Sequence, residues 1–262
     1  VPQVLYIHQP VPFQDEKRFS FLKSEERELA VYQYLIGRII KAAARRSVKV
    51  IVQTDWMRKA VREKCHISNE RVCKITPNIS NLSGFVNSSI FDPGKFFYPT
   101  SEAVYKNNKC IFDACRLLDE QMLDYNVKLT LPEKYESGRI HCVGRLEYNR
   151  VIEYYNESTL IFPSFIETFG YPLVEAKAMG TIILASDCAF SRELLDGYGN
   201  AYFFDPFAPD QLSNLMRKVI CGDITRKEML SADTKDRDSW LDVIDEVVRN
   251  KVLFLTNVPS PY

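Results

Sequence analysis

Short apolar runs alternate with segments of helical periodicity at the start of the chain. The runs Val4–Ile7, Val48–Val52 and Val72–Thr76 have the length and β-branched content of buried strands. Between the first two, apolar residues recur at helical spacing, at Leu29, Tyr32, Ile36, Ile39, Ile40 and Ala43. This pattern predicts a helix that begins near Ser24, and a second helix is predicted at 55–64. Strands that alternate with helices are typical of a parallel sheet with crossover connections.

The same alternation resumes after residue 94. It predicts strands at Phe96–Tyr98, Val127–Leu131, Arg139–Val143, Thr159–Phe162, Thr181–Ala185 and Ala201–Phe204, with a last strand at Lys251–Thr256. Helices are predicted at Tyr105–Leu118, Glu147–Tyr155, Pro172–Met179, Pro209–Val219 and Ser239–Arg249. The sequence therefore predicts an α/β fold with two doubly wound parallel sheets. In such folds, ligands bind outside the carboxyl ends of the strands.

One stretch interrupts the alternation. Pro77–Gly94 is rich in Asn, Ser, Pro and Gly and has no period, which is typical of a linker. We expect a first domain at 1–87, a second at 88–249 and a tail of uncertain origin at 250–262. The stretch also carries three N-x-S sequons, at Asn78, Asn81 and Asn87. Linker composition explains them better than glycosylation, which needs a secretory setting.

The charges separate along the chain. The 262 residues carry 34 Lys or Arg and 34 Asp or Glu, a net charge of zero. Residues 1–87 hold 15 basic and 8 acidic residues (+7), and the remainder holds 19 and 26 (−7). This split indicates two units that meet different partners. Eleven of the basic residues lie between Arg38 and Lys74. Two interpretations stay open for them, a solvated face and docking on an anionic membrane surface.

Cysteine usage and hydropathy bear on location. The seven Cys form no CxxC pair, which favours reduced, buried thiols in a cytoplasmic setting. No apolar run approaches the ~18 residues of a membrane span. The first residues, Val1–Pro10, lack the features of a signal peptide. We therefore expect a cytoplasmic protein, associated at most with the inner face of a membrane.

The most informative stretch is LIFPSFIETFGYPLVEAKAMG, residues 160–180. It predicts a buried strand, a loop and a helix that ends at Gly180, so the backbone N–H groups of the helix start can bind a diphosphate. Glu167 in the loop and Glu175 on the helix are an unsuitable pair for phosphate, because like charges repel. They suit the hydroxyl groups of a sugar and a ribose, from which carboxylates accept hydrogen bonds.

This Glu-x7-Glu arrangement resembles that of retaining GT-B glycosyltransferases of family 4. The resemblance extends through VLYIHQPVPF, KVIVQTDWM, FFYPTSEAVYKNN, ILASDCAFSREL and NAYFFDPF, and is greatest for bacterial enzymes that build O-antigen or capsular polysaccharide. It implies a GT-B fold of two Rossmann-like domains, of which the first lacks its start. The last residues, NKVLFLTNVPSPY, resemble the beginning of such a first domain. A fused or rearranged segment and an extra strand are both consistent with this.

The resemblance also implies roles for individual residues. Glu167 would contact the hydroxyls of the donor sugar, and Glu175 would hold the ribose of the nucleotide. The backbone at Thr168, Phe169 and Gly170 would face the diphosphate or the sugar. Lys106 would neutralise the leaving diphosphate, although an ordinary surface lysine is the alternative. The family often has an arginine shortly before this lysine, and the stretch from Tyr98 to Tyr105 contains none.

Each of three further features of the sequence has two interpretations. His8 follows a strand, where a family histidine touches the donor sugar, but a structural role explains it nearly as well. Gly144 and Arg145 follow another strand, and they either line the base pocket or form a plain turn. Asp236-Arg-Asp238 has the form of a DxD metal motif, but it precedes a predicted helix whose dipole favours acidic residues. We therefore expect no metal and no cofactor.

The resemblance implies a retaining transfer from a nucleotide-sugar, UDP-linked, to a glycan on polyprenol diphosphate, in the synthesis of bacterial surface polysaccharide. The main alternative is a non-catalytic module that binds nucleotide-sugars. A nucleic-acid binder is disfavoured, because the basic segment lacks interleaved aromatic residues and the second half of the chain is acidic.

Overall fold

The computed structural model describes residues 3–77, 90–227 and 242–249. The chain divides into two compact units, one of Val1–Ile79 with Thr234–Tyr262 and one of Ser80–Asp233. Several predicted features lie outside the described residues. They are the boundary at 87/88, the sequons at Asn78, Asn81 and Asn87, Asp236-Arg-Asp238, the strand at 251–256 and the tail at 250–262.

The first unit contains a parallel sheet of three strands. Strands β1 (Val4–Tyr6), β2 (Lys49–Val52) and β3 (Val72–Lys74) pair in the order β1-β2-β3. In this register, Tyr6 lies opposite Ile51, and Ile51 opposite Cys73. The helix α3 (Asp55–Cys65) connects β2 to β3. Its apolar face packs on the sheet in a core that contains Val50, Val52, Met57, Val61 and Cys65.

The helix between β1 and β2 begins later than predicted. Its turns are α1 (Arg27–Ala30), a π-helical segment at Val31–Ile36 and α2 (Gly37–Arg46). Glu26 occupies the cap position but makes no side-chain cap hydrogen bond, because its buried carboxylate is committed elsewhere: it lies 2.9 Å from Lys17 Nζ and accepts a hydrogen bond from the backbone N–H of Ser20. At Gly37 the helix passes so close to Pro12 that an added Cβ would lie 2.8 Å from the proline ring.

The helix at 242–249 belongs to the first unit. Its Glu246 lies 3.2 Å from Lys49 Nζ of β2. The sequence assigned this helix to the second domain, whereas the contacts of the structure group it with the three-stranded sheet. The difference arises because a helix late in the chain can return to an early strand, which local sequence patterns do not record.

The second unit contains a six-stranded parallel sheet in the order β6-β5-β4-β7-β8-β9. Its strands are β4 (Lys95–Tyr98), β5 (Asn126–Leu129), β6 (Ile140–Cys142), β7 (Thr159–Phe162), β8 (Ile183–Ser186) and β9 (Ala201–Phe204). The helices are α4 (Asn108–Asp119), α5 (Tyr148–Glu157), α6 (Tyr171–Ala178), α7 (Ala189–Leu194) and α8 (Pro209–Ile220). The predicted parallel α/β architecture is confirmed.

The order of strands reverses between β4 and β7. Chain order runs outward from β4 through β5 to β6, and in the opposite direction from β7 through β8 to β9. The connections after β4 and β7 therefore diverge and leave a crevice at their carboxyl ends, which is the topological switch point of an open α/β sheet. The loop before α4 and the loop before α6 both begin at this point.

In the second unit, one predicted helix is broken in two and one observed helix was not predicted. The helix expected at Tyr105–Leu118 is broken into a 3₁₀ turn at Val104–Lys106 and α4, because Asn107 between them has a left-handed backbone (φ +56°). The short helix α7 was not predicted. Its six residues are too few for apolar periodicity to be evident.

Candidate functional site

Lys106 and Glu167 meet at the switch point. Lys106 lies in the connection that follows β4, and Glu167 in the loop that follows β7. Lys106 Nζ is 2.6 Å from Glu167 Oε1, and the two side chains are only 18% and 14% exposed. The structure thus brings together two predicted site residues that are 61 positions apart. A pair so far from bulk water is weakly screened, and it offers both a cation and a carboxylate to a ligand.

Ser164, which sequence reasoning did not select, supports Glu167. Its hydroxyl is 2.8 Å from Glu167 Oε1, which accepts a hydrogen bond from it, and Ser164 is fully buried. The carbonyl of Ser164 accepts a hydrogen bond from the hydroxyl of Ser186 at the end of β8. One oxygen of Glu167 therefore has two donors, and the loop that carries it is tied to the sheet.

The surroundings of Lys106 are aromatic. Its ammonium group lies 5.7 Å from the centre of the Tyr105 ring and 5.9 Å from that of Phe162, distances at which a cation is attracted to a ring face. The hydroxyl of Tyr98 donates to the backbone carbonyl of Lys106, at 3.3 Å. Burial, and secondarily the charge of Glu167, raise the pKa of Tyr98 well above its usual value. Tyr98 therefore remains a protonated, neutral hydrogen-bond donor near the carboxylate of Glu167.

Glu175 is held by two phenols. Tyr155 donates to Glu175 Oε2 at 3.1 Å and Tyr148 to Oε1 at 3.3 Å. Burial raises the pKa of Glu175, and the two hydrogen bonds oppose this shift. Burial and the charge of Glu175 in turn raise the pKa of Tyr148 to about 12. Both tyrosines come from α5 and were missed, because their packing against α6 is not visible in the sequence.

The helix α6 begins as the Glu-x7-Glu motif predicts. Gly170 precedes it with φ +81°, a conformation that favours glycine, and Pro172 follows at the second helical position. Phe169 and Thr168 are buried just before it, with Phe169 only 1% exposed. At the other end, Gly180 (φ +71°) donates to the carbonyl of Lys177 and Thr181 to that of Ala176, which is a Schellman motif. The helix is thus fixed at both ends.

Gly144 and Arg145 follow β6, the edge strand of the sheet. Gly144 has φ +64°, and its N–H donates to the carbonyl of Leu131. Arg145 is exposed. The chain then enters α5, whose first residue, Tyr148, contacts Glu175. The two residues therefore lie on a tight turn shortly before Tyr148 in the chain, and their role in binding a base stays a prediction.

His8 lies in the first unit. It comes two residues after the end of β1, since the strand ends at Tyr6 and not at Ile7 as predicted, and it is exposed. Its ring stacks 6.1 Å from that of Tyr6. The predicted contact of His8 with a donor sugar stays a prediction.

Two further features are absent from the described residues. In residues 3–77, 90–227 and 242–249, no group of three or more His, Cys, Asp or Glu side chains is arranged to hold a metal ion. Within the same ranges, no helix has the length and apolar character needed to cross a membrane.

Comparison with known proteins gives a family match for part of the chain. Residues 124–236 match the family described as Glycosyl transferases group 1. This range contains Glu167 and Glu175, whereas Lys106 and His8 precede it. No curated protein matches the sequence of the chain.

Solved structures are similar in fold over most of the chain. S. aureus TarM is 12% identical with a TM-score of 0.66, over 98% of this chain and 50% of TarM. Anabaena HepE in complex with UDP is 15% identical with a TM-score of 0.61, over 96% of this chain and 72% of HepE. The lipopolysaccharide outer core galactosyltransferase WaaB is 16% identical with a TM-score of 0.60, over 89% of this chain and 66% of WaaB.

The chain thus spans half the length of TarM and about two thirds of WaaB. At these identities the similarity concerns the fold. Together with the two parallel sheets, it confirms the predicted GT-B architecture of Rossmann-like sheets.

Proposed function

We propose that this chain acts in a retaining glycosyltransferase of the family 4 type, which transfers a sugar from a nucleotide-sugar to a glycan acceptor. The observation that carries the proposal is the Lys106–Glu167 pair at the switch point, 2.6 Å apart and shielded from water. The family match at 124–236, which includes the Glu-x7-Glu motif, supports it independently.

In the proposed reaction, Lys106 stabilises the negative charge that develops on the leaving diphosphate. A preorganised ammonium group in a water-poor site is effective at this task, because it needs little reorganisation. Glu167 accepts hydrogen bonds from hydroxyls of the donor sugar, and Ser164 fixes its orientation. The acceptor attacks on the face from which the diphosphate departs, and the departing phosphate takes the acceptor's proton. Glu167 then orients and stabilises without forming a covalent bond, and no metal is required.

Glu175 is the proposed ligand of the ribose. Its carboxylate is oriented by Tyr148 and Tyr155 and keeps further lone pairs for hydroxyl donors. We propose uridine as the base of the donor, with Gly144 and Arg145 beside it. The similarity to HepE in complex with UDP supports this choice.

A panel of ligands tests the donor assignment. The chain is heated with UDP, ADP, GDP and several nucleotide-sugars, and the shift of the melting temperature is measured. UDP and at least one UDP-sugar should raise it, since a ligand that binds only the folded state stabilises that state. Hydrolysis and transfer assays with the best donor follow. Binding of UDP without turnover would support the non-catalytic module, and the absence of any nucleotide binding would contradict both assignments.

We further propose that the acceptor is a glycan on polyprenol diphosphate, as in synthesis of bacterial surface polysaccharide, and that the chain meets it at the inner face of a membrane. The similarity in fold to WaaB, a lipopolysaccharide galactosyltransferase, supports the acceptor class. Exposed apolar and basic residues alternate on the helix before β2: Leu35 is 54% and Ile39 70% exposed, and Arg38 and Arg45 are exposed beside them. Such a face suits an anionic bilayer.

Vesicle flotation tests the membrane contact. The chain should float with vesicles that contain anionic lipid and remain below with purely zwitterionic ones, and added salt should release it. Replacing Leu35 and Ile39 with Ser should weaken flotation, while replacing Met122, an exposed residue of the second unit, should not. Equal flotation with both lipid compositions would contradict an electrostatic docking surface.

A further inference from the structure

The turn that carries Lys106 is attached to the Glu167 loop on both sides of the lysine. The turn consists of Tyr105, Lys106 and Asn107. On one side, the carbonyl of Tyr105 accepts a hydrogen bond from the N–H of Phe165 at 3.1 Å and lies 3.1 Å from the hydroxyl of Ser164. These contacts join the turn to the residues that directly precede Glu167.

On the other side, Asn107 provides the attachment with its side chain. Its Nδ2 group donates to the carbonyl of Pro163 at 3.2 Å and to the carbonyl of Pro206 at 2.7 Å. Pro163 follows β7 and Pro206 follows β9, so both donor hydrogens of one amide are used on two loops of the same sheet edge. The amide thus joins three loops: its own, the loop with Glu167 and the loop before α8.

The backbone of Asn107 contributes as well. Its φ of +56° lies in the left-handed region, which asparagine tolerates better than most residues. This conformation ends the 3₁₀ turn at Lys106 and starts α4. The lysine therefore lies between two fixed points, and its side chain is directed to Glu167 by the turn rather than by the ion pair alone.

We propose that Asn107 is a positioning residue that acts through Lys106: its amide holds the ammonium group in register with Glu167 and with the leaving group of the donor. This inference rests on the proposed function, because it concerns the alignment of the same site. A small displacement of an aligned group lowers the rate of the chemical step much more than it weakens binding of the donor. The reason is that alignment is required chiefly in the transition state.

Two substitutions separate the amide from the backbone. Asn107→Gly keeps access to the left-handed conformation and removes both hydrogen bonds. Asn107→Asp keeps the shape but replaces the donor with an acceptor that is repelled by the carbonyls of Pro163 and Pro206. The matched control is Asn108→Ala. It removes an amide from the next position, where the contacts are to Ser101 and Thr100 and not to the Glu167 loop.

We expect kcat for sugar transfer to fall about tenfold in Asn107→Gly, and at least as far in Asn107→Asp, with the KM for the donor within about twofold of its original value. Asn108→Ala should keep kcat within about twofold. A purely structural role would instead lower the melting temperature and leave kcat per folded molecule unchanged, and this result would overturn the proposal.

A double-mutant cycle with Lys106→Met tests whether Asn107 acts through the lysine. In the Lys106→Met background, Asn107→Gly should lower the remaining kcat by less than about twofold, because the group that it positions is gone. The same tenfold loss in both backgrounds would show that Asn107 does not act through Lys106. Failure of the proposed function is distinguishable, because the original chain itself would then show no sugar transfer, whether or not it binds UDP.

Discussion

The carboxyl edges of the two sheets present their candidate residues differently. In the second unit, the mostly shielded Glu167 contacts Lys106 and Ser164, and Glu175 is held by two phenols. In the first unit, His8 is exposed after β1 and has the ring of Tyr6 beside it. Both edges belong to parallel sheets, where binding sites are expected. The difference is that the candidate residues of the second unit are preorganised by fixed partners, whereas the candidate residue of the first unit is exposed.

The largest loss of kcat is expected for substitution of Glu167, which Lys106 and Ser164 hold in place. Glu167→Gln keeps the size of the side chain but removes its charge, so Lys106 loses its partner and the donor hydroxyls lose a strong acceptor. We expect kcat to fall about 10³-fold, the size typical of a lost electrostatic contact in the transition state. Steady-state transfer assays measure it. Glu153→Gln, on the exposed face of α5, is the control, and equal kcat values for the two variants would contradict the assignment.

The next prediction concerns Arg226, which we expect to contribute to folding stability and not to catalysis. The half-buried guanidinium of Arg226 donates to the carbonyls of Met179 and Gly180, just after α6, and to that of Asn156 near the end of α5. Arg226→Ala leaves these acceptors without their donor and should lower the free energy of unfolding by about 3 kcal/mol. Thermal melts should show a decrease of roughly 6–12 °C.

Arg192→Ala provides the comparison for Arg226. Its exposed pair with Asp187 should contribute no more than about 1 kcal/mol. The kcat of folded Arg226→Ala should remain near that of the original chain. A loss of kcat without loss of stability would mean that the end of α6 takes part in the chemistry.

A smaller effect is expected at the ribose end of the site. Glu175→Gln should raise the KM for the donor about tenfold and change kcat little, because ribose contacts are similar in the ground and transition states. Unchanged KM would contradict the role of Glu175. Tyr148→Phe, which removes one donor to this carboxylate, should have a weaker effect in the same direction.

The raised pKa of Glu175 gives the same prediction a pH dependence. As pH falls through that raised pKa, the carboxylate is protonated and the donor KM should rise, at a higher pH than for an ordinary glutamate. Stability changes in the opposite sense. The folded state binds the proton more tightly than the unfolded state, so this contribution to the free energy of unfolding falls as pH rises through the folded pKa. Glu175→Gln should remove both trends, and their persistence would assign them to another group.

The smallest effect is expected in the first unit. His8→Ala should lower kcat/KM by about threefold, because a single exposed contact is worth less than about 1 kcal/mol. Tyr6→Leu, which removes the stacked ring, should leave His8 in place and have less effect. A loss at His8 as large as that at Glu167 would overturn the contrast between the two sheet edges.

The sequence predicted the fold, and it placed Glu167 in a loop and Glu175 on a helix, as the structure has them. Continuous apolar runs identify β4, β7 and β8 within two residues at each end, since strands buried on both faces contain few polar positions. Glu167 and Glu175 could be found because glycine, proline and acidic residues mark the loop and the helix start. These features depend on neighbours in sequence.

The parts that were missed depend on distant neighbours. Ser164 and Tyr155 are ordinary residues in their local patterns, and only the packing of the β7 loop and of α5 against α6 brings them to the carboxylates. The break at Asn107 was also missed, because Tyr105–Leu118 has helical periodicity throughout. Its side chain bonds to Pro163 and Pro206, 56 and 99 positions away, and such contacts leave no local pattern in the sequence.

The central claim is that Lys106, paired with Glu167, stabilises the leaving group, and the kcat of Lys106→Met tests it most directly. The control is Lys109→Met, which removes an exposed lysine paired with Asp113 on the same helix. We predict a kcat about 10²–10³-fold lower for Lys106→Met, with donor KM within about threefold, and an unchanged kcat for Lys109→Met. A kcat for Lys106→Met equal to that of its control would contradict the account.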